Sequence, residues 1–264
     1  MPWRRLFSAA IIPPAGFRSH HPGSPDDNLF AARARPHLGR LLGRLRALVP
    51  EFTRQSGIEV TTGSGASQGN GPHTIGAQLA RGIAADVVIL SREGLAELIA
   101  ADRIAAGTDV DLAKVGLGVA VRAGGAKPDV SSVDAVKQAL LKARVIAIPA
   151  STSGIWLKED LFPRLGIADK LDARMTPRGS DAAAMVAAGG TDLAVMPVSE
   201  ILVAPGVDFA GAFPAEIQMI QVFAAAAVAN SPALEAAKRL IALLSSPQAV
   251  DAIRGSGMEP MTRG

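Results

Sequence analysis

The sequence predicts an α/β protein, and three observations carry that prediction. Short apolar runs of strand type alternate with segments whose apolar residues recur at helical spacing, the order that builds a sheet with right-handed crossovers. Most of the helical segments carry a start or stop signal in the form of a Ser-Pro pair, a capping serine or a closing glycine. The chain has 264 residues, 48% of them hydrophobic, enough to bury a substantial core as one large domain or two smaller lobes.

Leu38, Leu41, Leu42, Leu45, Leu48, Val49 and Phe52 share one helical face, and Gly57 is placed to close that helix in a left-handed cap. Residues 58–62 (IEVTT) alternate as a strand, 74–82 read as a helix, and 85–90 (ADVVIL) form a continuous apolar run suited to a buried parallel strand. A helix over 92–104 follows. Residues 115–123 (VGLGVAVRA) then read as a strand, 131–143 as a helix opened by a capping box from Ser131 to Asp134, and 144–149 (RVIAIP) as the next strand. Residues 154–162 are helical and 173–177 a short strand. A helix over 180–190 is capped by Ser180 or Asp181 and stopped by Gly189 and Gly190, and 192–197 (DLAVMP) is a strand. A strand-like run within 205–229 precedes two helices opened by Ser231-Pro232 and Ser246-Pro247.

The first 45 residues follow neither period. Arg4 and Arg5 stand before a short apolar run, as in a signal peptide, but Pro13 and Pro14 cut that run short, so 1–45 is predicted to be irregular or disordered. No segment reaches the ~20 apolar residues of a membrane span. Charge divides at the same place. Residues 1–45 hold seven Arg against Asp26 and Asp27, leaving 20 Lys and Arg against 22 Asp and Glu in 46–264, a balance of −2. A mildly acidic globule offers no footprint for nucleic acid. The absence of Cys excludes a thiolate nucleophile, a disulfide framework and cysteine zinc sites, and leaves the compartment open.

Ligands of open α/β sheets lie beyond the carboxyl ends of the strands, where helix starts offer unpaired N–H groups. Three loops are placed there: 63–71 (GSGASQGNG), 149–155 (PASTSGI) and 177–182 (PRGSDA). All are rich in Ser, Thr or Gly, so they present hydroxyl and amide donors to an anion with little buried counter-charge. Gly65 and its neighbouring glycines allow close approach to a ligand, and Arg178 reads either as a solvated surface charge or as an electrostatic clamp. Ser151, Thr152 and Ser153 also suit plain helix capping.

Catalytic motifs are absent. Three of the four histidines lie in the head, leaving His73 as the single candidate base of that type, and metal-ligand spacing does not occur. Gly63 and Gly65 begin a dinucleotide fingerprint that Gln68 breaks at its third glycine.

Read together, 82–104 (GIAADVVILSREGLAELIAADRI), 110–147, 153–171 (SGIWLKEDLFPRLGIADKL), 194–218 (AVMPVSEILVAPGVDFAGAFPAEIQ) and 240–260 resemble the substrate-binding proteins of ABC importers, in the branch usually labelled molybdate-binding-like. The resemblance covers about 46–264. It implies a two-lobed type II periplasmic-binding-protein fold, each lobe a mostly parallel sheet flanked by helices, with the ligand cleft between the lobes and no catalysis. Lobe 1 would comprise 46–120 and 212–264, and lobe 2 would comprise 121–211. It also implies that the anion rests against Ser64, Gly65 or Ser67 in the first loop, Ser153 and Gly154 in the second, and Gly179, Ser180 and Asp181 at the next helix start.

Two features depart from the family. Relatives begin with a strand and a serine-bearing loop, for which the residues ahead of Arg46 show no counterpart. Where the molybdate binders use a tyrosine, Met196 and Pro197 stand here, so a small organic carboxylate joins a molybdate-like oxyanion as the expected ligand. The resulting expectation is a monomeric, periplasmic, non-catalytic solute receptor. Its partners are a small anion and an importer permease, with no nucleic acid, membrane span, cofactor or metal. A cytoplasmic ligand-sensing module of the same fold and a Rossmann-type oxidoreductase are the alternatives.

Overall fold

The computed structural model describes residues 48–63 and 65–261; the head over 1–45, the leucines ahead of Leu48 and the candidate Ser64 lie outside the described residues. In chain order the elements are α1 (Val49–Ser56), α2 (Ile75–Ala80), β1 (Val87–Ser91), α3 (Arg92–Ala100), β2 (Val110–Arg122), α4 (Val133–Lys142), β3 (Ile146–Pro149), α5 (Thr152–Trp156), α6 (Phe162–Arg164), β4 (Ala173–Thr176), α7 (Gly179–Ala187), β5 (Leu193–Pro197), α8 (Val198–Ile201), β6 (Val207–Ala212), β7 (Ile220–Ala227), α9 (Leu234–Leu244), α10 (Val250–Arg254) and β8 (Glu259–Pro260). A π-helical stretch, Leu157–Leu161, joins α5 to α6 without a break.

β2 is the strand on which two parts of the sheet meet. Residues 110–116 pair antiparallel with β7, which pairs antiparallel with β1; 117–121 pair antiparallel with β5 and 118–122 with β6. Beyond β5 the order continues through β3 to β4, and both of those pairings are parallel. Parallel pairing among the described strands is thus confined to β3, β4 and β5, which corrects the expectation of mostly parallel sheets. The physical reason lies in the connections. Helical connections carry the chain from β3 to its parallel neighbour β4, and from β4 past β3 to β5 on its other side, whereas β2 and β7 run as long antiparallel returns.

Burial on both faces explains why β1 reads as an unbroken apolar run. Val87 and Ile89 face Phe52, Leu112, Leu240 and Ile241, while Val88 and Leu90 face Ile75, Leu79 and Leu95. The parallel part is built alike. Ile146 and Ile148 pack with Val119, Val121, Leu157 and Val195, and Ala147 packs on the opposite face with Ala120, Ala182, Val186 and Met196. Burying each Val, Leu, Ile, Phe or Met among them contributes roughly 1.5–3 kcal/mol, so these layers contribute heavily to the fold's stability.

Several local expectations shift. Residues 58–62 form none of the strands, although Ile58 and Val60 pack against the core and Glu59 and Thr61 are exposed, so the alternation is satisfied by packing. The start of α4 is capped one residue later than predicted: Ser132 Oγ accepts from the Ala135 amide at 3.2 Å, while the Ser131 amide turns to Asp129. Ser231 opens a turn and not a helix, because its hydroxyl donates to the buried Asp86 carboxylate at 2.6 Å, and α9 begins at Leu234. Gly57 does close α1, with φ of 69°.

Candidate functional site

Because β3, β4 and β5 are parallel, their carboxyl ends open on one edge, and each is followed at once by a helix start. The end of β1 joins them. Ser91 Oγ lies 2.7 Å from Thr152 Oγ1, a buried hydroxyl pair that links β1 to the first residue of α5. Ser91 also caps α3 by accepting from the Gly94 amide at 3.3 Å, and its own amide donates to Ser67 Oγ at 3.0 Å. One serine therefore laces the first loop, β1 and α5 together.

Missing side chains let these segments close. A Cβ at Gly94 would fall on the Ser67 carbonyl, and one at Gly154 would fall on the Pro149 carbonyl. At Gly69 φ is 107°, and a Cβ there would come within 2.8 Å of the Ala150 carbonyl. Gly65 is buried against the Gln78 side chain and the His73 carbonyl, while the His73 ring is exposed. The second and third loops are tied through Thr176: the Ala150 amide donates to its carbonyl at 2.6 Å, and its hydroxyl donates to the Arg178 carbonyl at 2.8 Å.

The start of α7 differs from its prediction. Neither Ser180 nor Asp181 caps it; the N-cap is Arg178, whose guanidinium donates two hydrogen bonds of 3.0 Å to Asp181. Asp181 is spent on that fork, so the Gly179 and Ser180 amides keep no partner among the described residues. Arg178 itself is exposed, and the paired carboxylate raises its pKa further. Ser153 and Gly154 are both buried at the start of α5, and Met196 is fully buried in the core beneath Gly179.

Sequence reasoning missed Glu200. It lies on α8, three residues past the end of β5, and a Cβ at Gly179 would fall on its Oε2 and stand 3.1 Å from Met196 Cε. The residue is half-buried, yet its carboxyl makes no hydrogen bond or ion pair among the described residues, and desolvation pushes its pKa up to about 7. An acidic residue directly after a fully buried strand, in "VMPVSE", was the available signal. Ser91 and Thr152 carried only the signal of ordinary helix caps.

The edge thus gathers hydroxyls, free amides and one desolvated carboxyl, an arrangement able to hold an anion and to exchange a proton with it. The profile of bacterial extracellular solute-binding proteins matches residues 42–259. The chain belongs to that family. This solute-binding protein is also 36% identical, over 84% of its length and 86% of the relative's, to an aconitate isomerase of Pseudomonas sp.. Its fold is similar to that of the periplasmic molybdate-binding protein of Azotobacter vinelandii, with a TM-score of 0.59 and 21% identity over 83% of this chain and 95% of that one. A periplasmic binding protein of A. tumefaciens R10, solved with agropinic acid, gives a TM-score of 0.63 and 15% identity over 85% of this chain and 80% of that one. The solute-binding protein therefore has the α/β, type II periplasmic-binding fold that the sequence resemblance implies.

One expectation is overturned. A relative this similar is named for an enzyme, so the family fold does not entail binding without catalysis, and the expectation that this solute-binding protein is not an enzyme is withdrawn. Among the described residues no helix is long and apolar enough to cross a membrane.

Proposed function

We propose that this protein binds aconitate at the edge formed by the first loop, the β3–α5 loop and the start of α7, and interconverts its cis and trans forms. The observation that carries the reading is the 36% identity to an aconitate isomerase over 84% of the chain. The chemistry of the edge supports it. Aconitate presents three carboxylates, which suit charge-assisted hydrogen bonds from hydroxyls, helix-start amides and one guanidinium. The ligand contacts in this reading are Ser67, Ser153, Gly154, Gly179 and Ser180, with Ser64 and Gly65 from the first loop and Arg178 released from Asp181 to take one carboxylate. Closure of lobe 1 (46–120 and 212–264) on lobe 2 (121–211) would exclude water from the bound acid. The test is direct: the full-length protein incubated with cis-aconitate should produce trans-aconitate in a proton NMR time course. A spectrum unchanged beyond the protein-free control would overturn the reading.

The family match supports a second reading, in which the same cleft, in the periplasm, passes a small anion to an importer permease. A molybdate-like oxyanion and an organic carboxylate are its two ligand classes. Calorimetric titration with molybdate and with aconitate separates them. Micromolar molybdate binding with no aconitate heat would favour the oxyanion.

A further inference from the structure

The Glu200 carboxyl has no hydrogen-bond partner or counter-charge among the described residues, and its Oε2 lies against Gly179 at the start of α7. The arginines at the same edge are engaged elsewhere, Arg178 with Asp181 and Arg92 with Asp109 and Asp111. Position 179, the first residue of α7, has no side chain, and the Glu200 Oε2 occupies the place where one would be. Glycine there is what admits the carboxyl to the edge. A half-buried carboxyl without a partner is only partly hydrated, which disfavours its charged form and keeps it ready to hold a proton.

Resting on the aconitate reading, we propose that Glu200 is the catalytic residue that carries the proton during isomerisation. Aconitate holds a CH2 group allylic to its C=C bond. Loss of one proton from that CH2 to the Glu200 carboxylate breaks a C–H bond and spreads the electron pair over the three-carbon allylic system and its carboxylates. Return of the proton from the Glu200 carboxylic acid to the far carbon forms the new C–H bond and moves the double bond by one position. Because the carbon skeleton is symmetric in constitution, the product is again aconitate. Its cis or trans geometry is set by how the arms are held when the proton returns. No electrons are gained or lost, and Glu200 ends as it began. Its pKa of about 7 suits both halves of the exchange, since base and acid forms are then populated near neutrality. The free amides of Gly179 and Ser180 stand where negative charge delocalised onto a substrate carboxylate would be received.

The experiment uses the full-length protein in deuterium oxide with cis-aconitate, read by NMR for trans-aconitate and for deuterium at the carbon positions, alongside calorimetric binding of trans-aconitate. Glu200→Gln keeps the side chain's shape, and the expected result is a loss of at least 100-fold in isomerisation and deuterium exchange with binding kept within about five-fold. Gly179→Ala, whose Cβ would displace the carboxyl, should lower the rate while the glutamate is still present. Wild-type turnover that survives Glu200→Gln within ten-fold overturns the role of Glu200 and leaves the isomerase reading standing. Equal losses of binding and turnover overturn it too, because they make Glu200 a ligand contact. A wild-type protein that binds aconitate without interconverting it overturns the isomerase reading itself, and with it the proton-transfer role.

Discussion

Ser91 and Thr152, 61 positions apart in sequence, meet through their hydroxyls at 2.7 Å in a buried setting where β1 ends and α5 begins. The pair fastens the first loop, through Ser67, to the helix start that carries Ser153. Removing one partner strands the other in a buried site. Ser91→Ala should therefore destabilise the fold by about 1–3 kcal/mol, with loss of the α3 cap included in that range. Urea unfolding measures it. In the double variant with Thr152→Val the cost should fall below the sum of the two single costs, since both hydroxyls are then gone.

Glu200 makes stability depend on pH in an unusual direction. Its folded pKa of about 7 lies above the ordinary value of 4.5, so the folded state holds the proton more tightly than the unfolded chain does. Its contribution is fully present below pH ~4.5 and is lost as pH rises through 7. The ceiling on that loss is roughly 3–4 kcal/mol, from about 1.4 kcal/mol per pKa unit over the rise from 4.5 to about 7. Glu200→Gln should flatten the thermal-stability profile between pH 5 and 8 and leave the variant more stable than wild type at pH 8.

Ser153 is buried at the start of α5, yet no side chain caps that helix, so its hydroxyl has no demonstrated structural duty. In the ligand reading Ser153→Ala weakens aconitate binding by about ten-fold, ~1–2 kcal/mol, the range of a hydrogen bond to a charged group. Melting temperature should barely move. Unchanged affinity in calorimetry would remove Ser153 from the site.

Gly154 tests the closeness of helix and strand. A Cβ there would fall on the Pro149 carbonyl, a backbone atom that cannot swing aside, so Gly154→Ala should cost ~1–3 kcal/mol by overpacking. Denaturant midpoints report the loss.

Arg178 is held by Asp181 in a two-bond fork that lysine cannot reproduce. Arg178→Lys is expected to weaken carboxylate binding by about ten-fold, ~1.4 kcal/mol, and to leave molybdate binding nearly unchanged. A molybdate affinity that drops equally would show that Arg178 does not discriminate planar from tetrahedral anions.

Much of the fold was legible because its signals are local. The runs at 87–90 and 146–149 are apolar on both faces, and the structure buries both faces. Gly57 and Ser246-Pro247 announce their turns through backbone constraints that act within a few residues. The chemistry of the three loops was legible in the same way, as an excess of hydroxyls and glycines beyond strand ends. Glu200 was not, because an acidic residue at a helix start normally reads as a solvated, dipole-favoured charge.

The sequence by itself determined the α/β class, the order of most elements and the small-residue character of the edge, since periodicity, capping and side-chain size are properties of neighbouring residues. Only the tertiary structure decided that β2 and β7 pair antiparallel, that Asp181 answers Arg178 instead of capping α7, and that Glu200 lies beneath Gly179. Each of those outcomes depends on which distant groups are brought within hydrogen-bonding or van der Waals reach. A carboxyl's pKa likewise follows from the surroundings that the fold assembles around it, and no stretch of neighbouring residues contains them.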